Sequence, residues 1–319
     1  MNIQLLLSNL TNPTLLFFIL GFIAVKVRSD LTIPEQSAKF IALYLLFSIG
    51  FKGGQELAHS TFNITILYSI LFGLTIASII PLYTFFILKR KLSINNAGAI
   101  AAAYGSVSAV TFVAAASFLE LQKVPFGGHM VAVMALMEAP AIIVGIVLIN
   151  IYNKDTLVAK PPLGSIIRHS FTNSSVFMII GSLIIGLIAD TKQAEGIKPF
   201  TTDIFKGFLA LFLLEMGMVT ARKISAFVQY GWFVTLFAII VPLVNGCAVA
   251  WVSSYITPDV GNRFMFAVLA SSASYIAVPA AFKIAVPQAN SGIFIPMALG
   301  VTFPFNLTLG MPLYMAIVR

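Results

Sequence analysis

Apolar residues in this chain fall into ten long runs divided by short polar breaks. The runs span about Pro13 to Val27, Ile33 to Phe51, Phe62 to Leu88, Ala97 to Leu119, Met130 to Tyr152, Ser174 to Ala189, Thr202 to Val219, Trp232 to Ile256, Phe264 to Ala285 and Ile293 to Ile317. A hydrocarbon core of about 30 Å takes roughly 20 helical residues to cross, so the pattern predicts an all-α integral membrane protein with ten transmembrane helices. The first run is short for that span and needs shielding by neighbours or extension into the Leu-rich stretch before it. Pro34 stands at a tolerated first-turn position of the second run, and Gly50, Gly53 and Gly54 are read as its end.

The pattern then repeats. An offset of 166 superimposes Ser106 on Ser272, Ser108 on Ser274 and Ala114-Ala115 on Ala280-Ala281. Leu45-Leu46-Phe47-Ser48-Ile49-Gly50 matches Phe212-Leu213-Leu214-Glu215-Met216-Gly217 at 167, Glu138-Ala139-Pro140 matches Thr302-Phe303-Pro304 at 164, and Asn12-Pro13 matches Asn173-Ser174 at 161. Small loop insertions produce such drift, so the chain reads as a duplication. Residues 1–152 form a first five-helix repeat, 153–172 a polar cytoplasmic connector with Pro161-Pro162, and 173–319 a second repeat. Five crossings is an odd number, so the second repeat enters from the opposite side and the two are inverted.

Composition agrees with a membrane setting. Charged residues make up 9% of the chain and hydrophobic ones 59%, with mean hydropathy +0.98, where a soluble domain carries about 25% charged residues. The net charge of +8 has no soluble face on which to bind nucleic acid; it sets topology instead. Placing Lys89-Arg90-Lys91 in the cytoplasm brings 12 of the 19 basic residues there, and leaves Lys52, Lys123, Lys192, Lys198, Lys206, Arg263 and Arg319 on the other side with both termini. Met1 to Thr11 lacks the basic start of a signal peptide, and Cys247, the single cysteine, is read as core packing. His59, His129 and His169 lack metal-ligand spacing and are read as surface residues, and no P-loop, Gly-x-Ser-x-Gly elbow or His-Glu-x-x-His pair supports an enzyme or a primary pump.

Candidate chemistry lies in two stretches, Tyr104 to Ala115 and Ala270 to Ala281, where small and hydroxyl residues replace the Leu and Ile of a lipid-facing helix. Pro279 lacks an amide and is read as freeing a carbonyl near Tyr275, and Gly105 permits close backbone approach. Irregular backbone is tolerated in a bilayer only where protein buries it or a wet cavity receives it. The candidate substrate residues are therefore Gly105, Ser106, Ser108, Thr111, Ser272 and Ser274, with half-helix N-termini as an anion site and freed carbonyls suited to Na⁺. The competing reading is close helix packing by small residues. Glu138 is ionisable at mid-segment and stands as a cation ligand or proton carrier, or as a protonated group bonded to a carbonyl freed by Pro140. Thr302, its repeat partner, and Tyr275 complete the candidate ion-coupling set. Glu215, near Arg222 and Lys223, is read as structural or gating, and Lys283 as a snorkelling lysine.

Asn12-Pro13-Thr14-Leu15, Ile33-Pro34-Glu35, Ile49-Gly50 with Gly53-Gly54, Met216-Gly217-Met218, Ile149-Asn150-Ile151-Tyr152, both serine tracts and Pro287-Gln288-Ala289-Asn290, in this order and spacing, resemble the cyanobacterial SbtA-type sodium-dependent bicarbonate transporters. The resemblance covers nearly the whole chain. It implies a core domain moving against a gate domain, a homotrimer in the bacterial inner membrane, and bicarbonate uptake coupled to Na⁺, with no other cofactor. The departures fall at the site. Ser108-Ala109-Val110-Thr111 stands where the family usually reads Ser-Gly-Ser-Thr, Tyr275 and Glu138 stand where it has aspartates, and Ala277-Val278-Pro279-Ala280 replaces Ser-Gly-Pro-Pro. The shorter connector argues against docking of a PII-like regulator. Three readings stay open: Na⁺-coupled transport of a small anion with bicarbonate first, proton-coupled transport of another solute through Glu138, and a non-transporting membrane sensor or enzyme on the same scaffold.

Overall fold

The computed structural model describes residues 12–59, 63–153, 164, 168, 171–227 and 231–319, and among them every regular element is helical. In chain order these are α1 (Pro13–Lys26), α2 (Glu35–Ala58), α3 (Ile64–Leu88), α4 (Ile94–Gly105), α5 (Ala109–Leu121), α6 (His129–Tyr152), α7 (Ser174–Ile188), α8 (Thr191–Glu195), α9 (Phe205–Phe227), α10 (Trp232–Val252), α11 (Val260–Ser271), α12 (Ala277–Ala285) and α13 (Ser291–Val318). Polar residues set the starts. Asn12 accepts from the Thr14 amide, Asn63 from Ile66, and Asn173 from Ser175 and Val176, each satisfying amides that a helix start leaves open.

Among the described residues six segments are long and apolar enough to cross a membrane: α3, α4 with α5, α6, Pro199–Lys223, α10 and α13; α1 and α7 are shorter apolar helices. The α4–α5 segment is the most interior of the six, with 89% of its most apolar stretch buried against 39% for α3. Lipid-type surface lies elsewhere. Leu16, Leu20 and Ile23 on α1, and Phe177, Ile185 and Ile188 on α7, are exposed.

The same succession of elements occurs twice: a short apolar helix, two long helices, a helix broken in two, and a final long helix. The most extensive helix contacts join the halves, with α2 lying along α7 and α9 along α1. Glycine makes both contacts possible. A Cβ on Gly54 would meet the Leu183 carbonyl at 2.2 Å, and one on Gly186 the Phe51 carbonyl at 2.2 Å; in the other pair Gly21 would meet the Leu214 carbonyl at 2.0 Å and Gly217 the Phe18 carbonyl at 2.0 Å. Backbone thus rests on backbone, the close approach that small residues allow in membrane helices. The Gln55 amide donates to the carbonyls of Gly186 and, at 3.0 Å, Ala189, fastening the end of α7 to α2.

Three expectations change here. Gly50, Gly53 and Gly54 do not end the second helix, which continues to Ala58, because their role is lateral contact rather than termination. Pro279 lies in the first turn of α12, where a missing amide forfeits no helical bond, so it does not free the carbonyl near Tyr275. His129 opens α6 as a buried residue, enclosed by the 125–128 turn and Asn262, instead of standing at the surface. Cys247, half-buried on α10, packs against the edge of the core as expected. Most of the 153–172 connector, with Pro161-Pro162 and His169, lies outside the described residues.

If backbone contact holds α2 against α7, Gly54→Ala should act as an overpacking change costing about 1–3 kcal/mol. Thermal unfolding of the purified protein should show an apparent Tm lowered by several degrees. Gly181→Ala, on α7 with nothing within 4 Å of the added carbon, should leave it unchanged or raised.

Candidate functional site

Both hydroxyl tracts fall where a helix is interrupted. Residues 106–108 are extended between α4 and α5, and residues 272–276 separate α11 from α12. The two gaps cross and bond each other: the Ser274 amide donates to the Ala103 carbonyl at 2.8 Å, and the Ser108 amide to Ser272 Oγ at 3.0 Å. Ser272 Oγ in turn donates to the Leu269 carbonyl at 2.9 Å. Breaking a helix here orphans amides and carbonyls, and each break supplies partners for the other.

The second half of each broken helix is capped by a serine. Ser108 Oγ accepts from the Thr111 amide at 3.1 Å and Ser274 Oγ from the Val278 amide at 3.3 Å. One narrow chamber, with room for about one water, is lined by Val107 to Val110 at the start of α5, Ser274 to Ala277 at the start of α12, Glu138 and Ser175. Two helix N-termini, with their partial positive charge, thus meet at one point. Glu138 is buried on α6 and its Oε2 accepts from Asn173 Nδ2 at 3.4 Å. The buried Tyr275 hydroxyl lies beside Ser108 without completing a hydrogen bond.

Of the residues singled out by sequence, Ser108, Ser274, Glu138 and Tyr275 share this chamber. The others do not line it. Gly105 ends α4 against Pro81, where a Cβ would meet the ring at 2.2 Å, so its smallness serves packing. Ser106 is buried with its hydroxyl unbonded, while Ser272 and Thr111 hold the crossing and the α5 start through the bonds above. Thr302 lies elsewhere in the core: it donates to the Ala238 carbonyl at 2.7 Å and accepts from the Tyr104 hydroxyl at 2.7 Å, which ties α4 to α10 and α13.

Three residues were not anticipated. Ser175, in the first turn of α7, adds a hydroxyl to the chamber wall, and Asn173 both caps α7 and orients Glu138. Asn173 had a visible signal, its match to Asn12 in the repeat. Asn306 is fully buried in a π-helical stretch of α13, donates to the Ser271 carbonyl at 2.7 Å and is held by the Tyr314 hydroxyl at 3.1 Å. It satisfies a carbonyl exposed by the break after α11. An asparagine inside an apolar run was its only mark.

Among the described residues no group of three His, Cys, Asp or Glu side chains gathers, so the donor set at the chamber is hydroxyl, amide and one carboxylate. A bilayer-type helical protein with two broken helices crossing at a buried polar chamber has the form of a membrane solute carrier. The chain belongs to the Na⁺-dependent bicarbonate transporter superfamily, whose family model matches residues 13–319. Comparison with curated protein sequences finds no match.

The Asn306 bond yields a stability prediction. Asn306→Ala leaves the buried Ser271 carbonyl without its donor and should cost about 1–3 kcal/mol, whereas Ser106→Ala removes a hydroxyl that bonds nothing and should cost far less. Apparent Tm values of the two variants in detergent give the comparison.

Proposed function

We propose that this protein is a secondary active transporter of a small anion, bicarbonate first, with Na⁺ as the coupling ion. The observation that carries the reading is the meeting of two half-helix N-termini and two serines, Ser108 and Ser274, at one buried chamber. Oxygens of an anion there would accept from the serine hydroxyls and from first-turn amides of α5 and α12. The Glu138 carboxylate, with hydroxyl oxygens beside it, supplies the hard oxygen ligands that a small cation takes. Ser272, Thr111 and Gly105 would act by holding the crossing in shape, and Thr302 by bracing α4.

Alternating access follows from where the chamber sits. Its walls come from the crossed half-helices and from α7, which belongs to the glycine-packed pairs. A solute larger than water needs that wall to separate, so the half-helix bundle would move as a core against α1, α2, α7 and α9 as a gate. The doubled order of elements supports ten crossings in two inverted five-helix repeats. Basic residues biased to one side support both termini on the non-cytoplasmic face of a bacterial inner membrane, and the exposed apolar faces of α1 and α7 give room for lipid or for a homotrimer.

A second reading, proton coupling through Glu138, is favoured by one observation. Among the described residues Asn173 is the side-chain donor to that carboxylate, and Tyr275 offers no second charge to hold Na⁺.

Radiolabelled bicarbonate uptake into proteoliposomes tests the proposal, with and without an imposed Na⁺ gradient. Uptake should follow the gradient, and Ser108→Ala or Ser274→Ala should lower it about tenfold or more with the protein still monodisperse, the loss of one charge-assisted bond. Uptake that follows pH and ignores Na⁺ would transfer the assignment to the proton-coupled reading; no uptake of any small anion would leave the sensor. For topology, alkaline phosphatase fused after Arg319 should be active in cells, and a fluorescent protein fused there should be dark.

A further inference from the structure

A second, roomier cavity lies apart from the chamber. It encloses about 400 Å³ between α2, the end of α5, the 123–126 turn, the start of α9 and the π-helical turn Pro199–Asp203. Its wall is largely apolar, with Ile49, Ala116, Val124 and Phe126 among the lining, and its polar groups are ordered by depth. Ser48 and Ser117 are buried in it, whereas Lys52, Glu56, Glu120 and Lys123 are exposed. Ser48 Oγ has no hydrogen-bond partner, and the Tyr44 hydroxyl near it donates to the Phe200 carbonyl.

The charges do not cancel evenly. Glu120 is bridged by Lys206 at 2.9 Å, and Glu56 lies within the field of Lys52. Lys123 takes part in no ion pair among the described residues. Its backbone is unusual as well. Lys123 has φ +55°, the left-handed region, at the position after the α5 terminus where the Val124 amide bonds the Leu119 carbonyl and its own amide bonds Glu120. That pattern ordinarily takes glycine, because a side chain there crowds the backbone. Packing gives no reason for a lysine at this corner. Its ammonium stands at the mouth of a low-dielectric cleft, where one charge raises the local anion concentration.

We propose that this cleft is an anion-capture vestibule and that Lys123 is the residue that draws a small anion into it, with the Ser48 and Ser117 hydroxyls as the inner donors. The inference rests on the transport reading for its purpose, since a carrier of a small anion gains from a raised local concentration, and on the cleft's own geometry for its existence. Under the orientation proposed above, the mouth faces the non-cytoplasmic side. The Lys206–Glu120 bridge joins α9 to α5 at its rim, and so crosses between the parts that would move.

The test has two arms on the full chain. In the first, Ala116, half-buried in the cleft, is changed to cysteine in a Cys247→Ala background, and the purified protein is labelled by anionic and cationic thiosulfonate reagents of similar size. Lys123→Gln and Lys123→Gly should each lower the anionic-to-cationic rate ratio about threefold at low salt, the effect should vanish at about 0.5 M salt, and Lys123→Arg should keep the parent ratio. Lys123→Gly should also raise the apparent Tm, which separates charge from damage to the turn. An unchanged ratio in both neutral variants overturns the vestibule. In the second arm, Lys123→Gln should raise the KM for bicarbonate uptake more than it lowers kcat. A parent protein that carries no bicarbonate removes the transport reading, and the labelling ratio then decides the capture site alone.

Discussion

A peptide group buried in an apolar medium must find a hydrogen-bond partner within the protein, and this structure depends on how that demand is met where two helices are broken. The gaps at residues 106–108 and 272–276 cross, and amides of each are accepted by groups of the other helix pair, Ser274 by the Ala103 carbonyl and Ser108 by Ser272 Oγ. Asn306 takes up the Ser271 carbonyl left at the end of α11. With these bonds in place, the interruptions become stable ends that point at one small space. Without them the polar backbone would favour two continuous helices and no chamber.

Around that crossing the molecule divides by how its helices touch. The interior helices α4, α5 and α11 are nearly covered, with alanine-rich faces and buried aromatics such as Tyr104 and Phe266, and α12 buries one face against them. The outer pairs, α1 with α9 and α2 with α7, are held by glycine-to-carbonyl contact, and α1 and α7 leave their outer faces apolar and exposed. Such surfaces suit lipid, whose chains match them at no hydrophobic cost. Glu138 connects the two parts through Asn173, at the start of an outer helix, so the wall of the chamber is also a boundary between two kinds of packing.

The helices themselves were legible in the chain because their signal is local. Apolar runs ended at Val27, Leu88 and Tyr152, within a residue of the observed ends, and the tracts around Ser108 and Ser274 stood out because hydroxyl groups are out of place in a lipid-facing helix. The glycines were misread for a related reason. Gly50, Gly53 and Gly54 have the same local meaning whether they end a helix or admit a neighbour, and only the position of α7 distinguishes the two. Thr302 matched Glu138 in the repeat yet bonds Tyr104 instead of facing the chamber, since equivalent positions in two halves need not face the same space.

The amino-acid sequence alone determined the membrane setting, the helical content and the two places where polar chemistry concentrates. These follow from hydropathy and composition, which act residue by residue along the chain. The tertiary structure alone decided that Ser108, Ser274, Glu138, Tyr275 and Ser175 share one chamber while Ser106 and Thr302 do not, and that Asn306 and Asn173 serve the site from remote positions. Those facts depend on which faces of separate helices meet. That is settled by the close contacts and hydrogen bonds among elements far apart in the chain, and no local pattern encodes it.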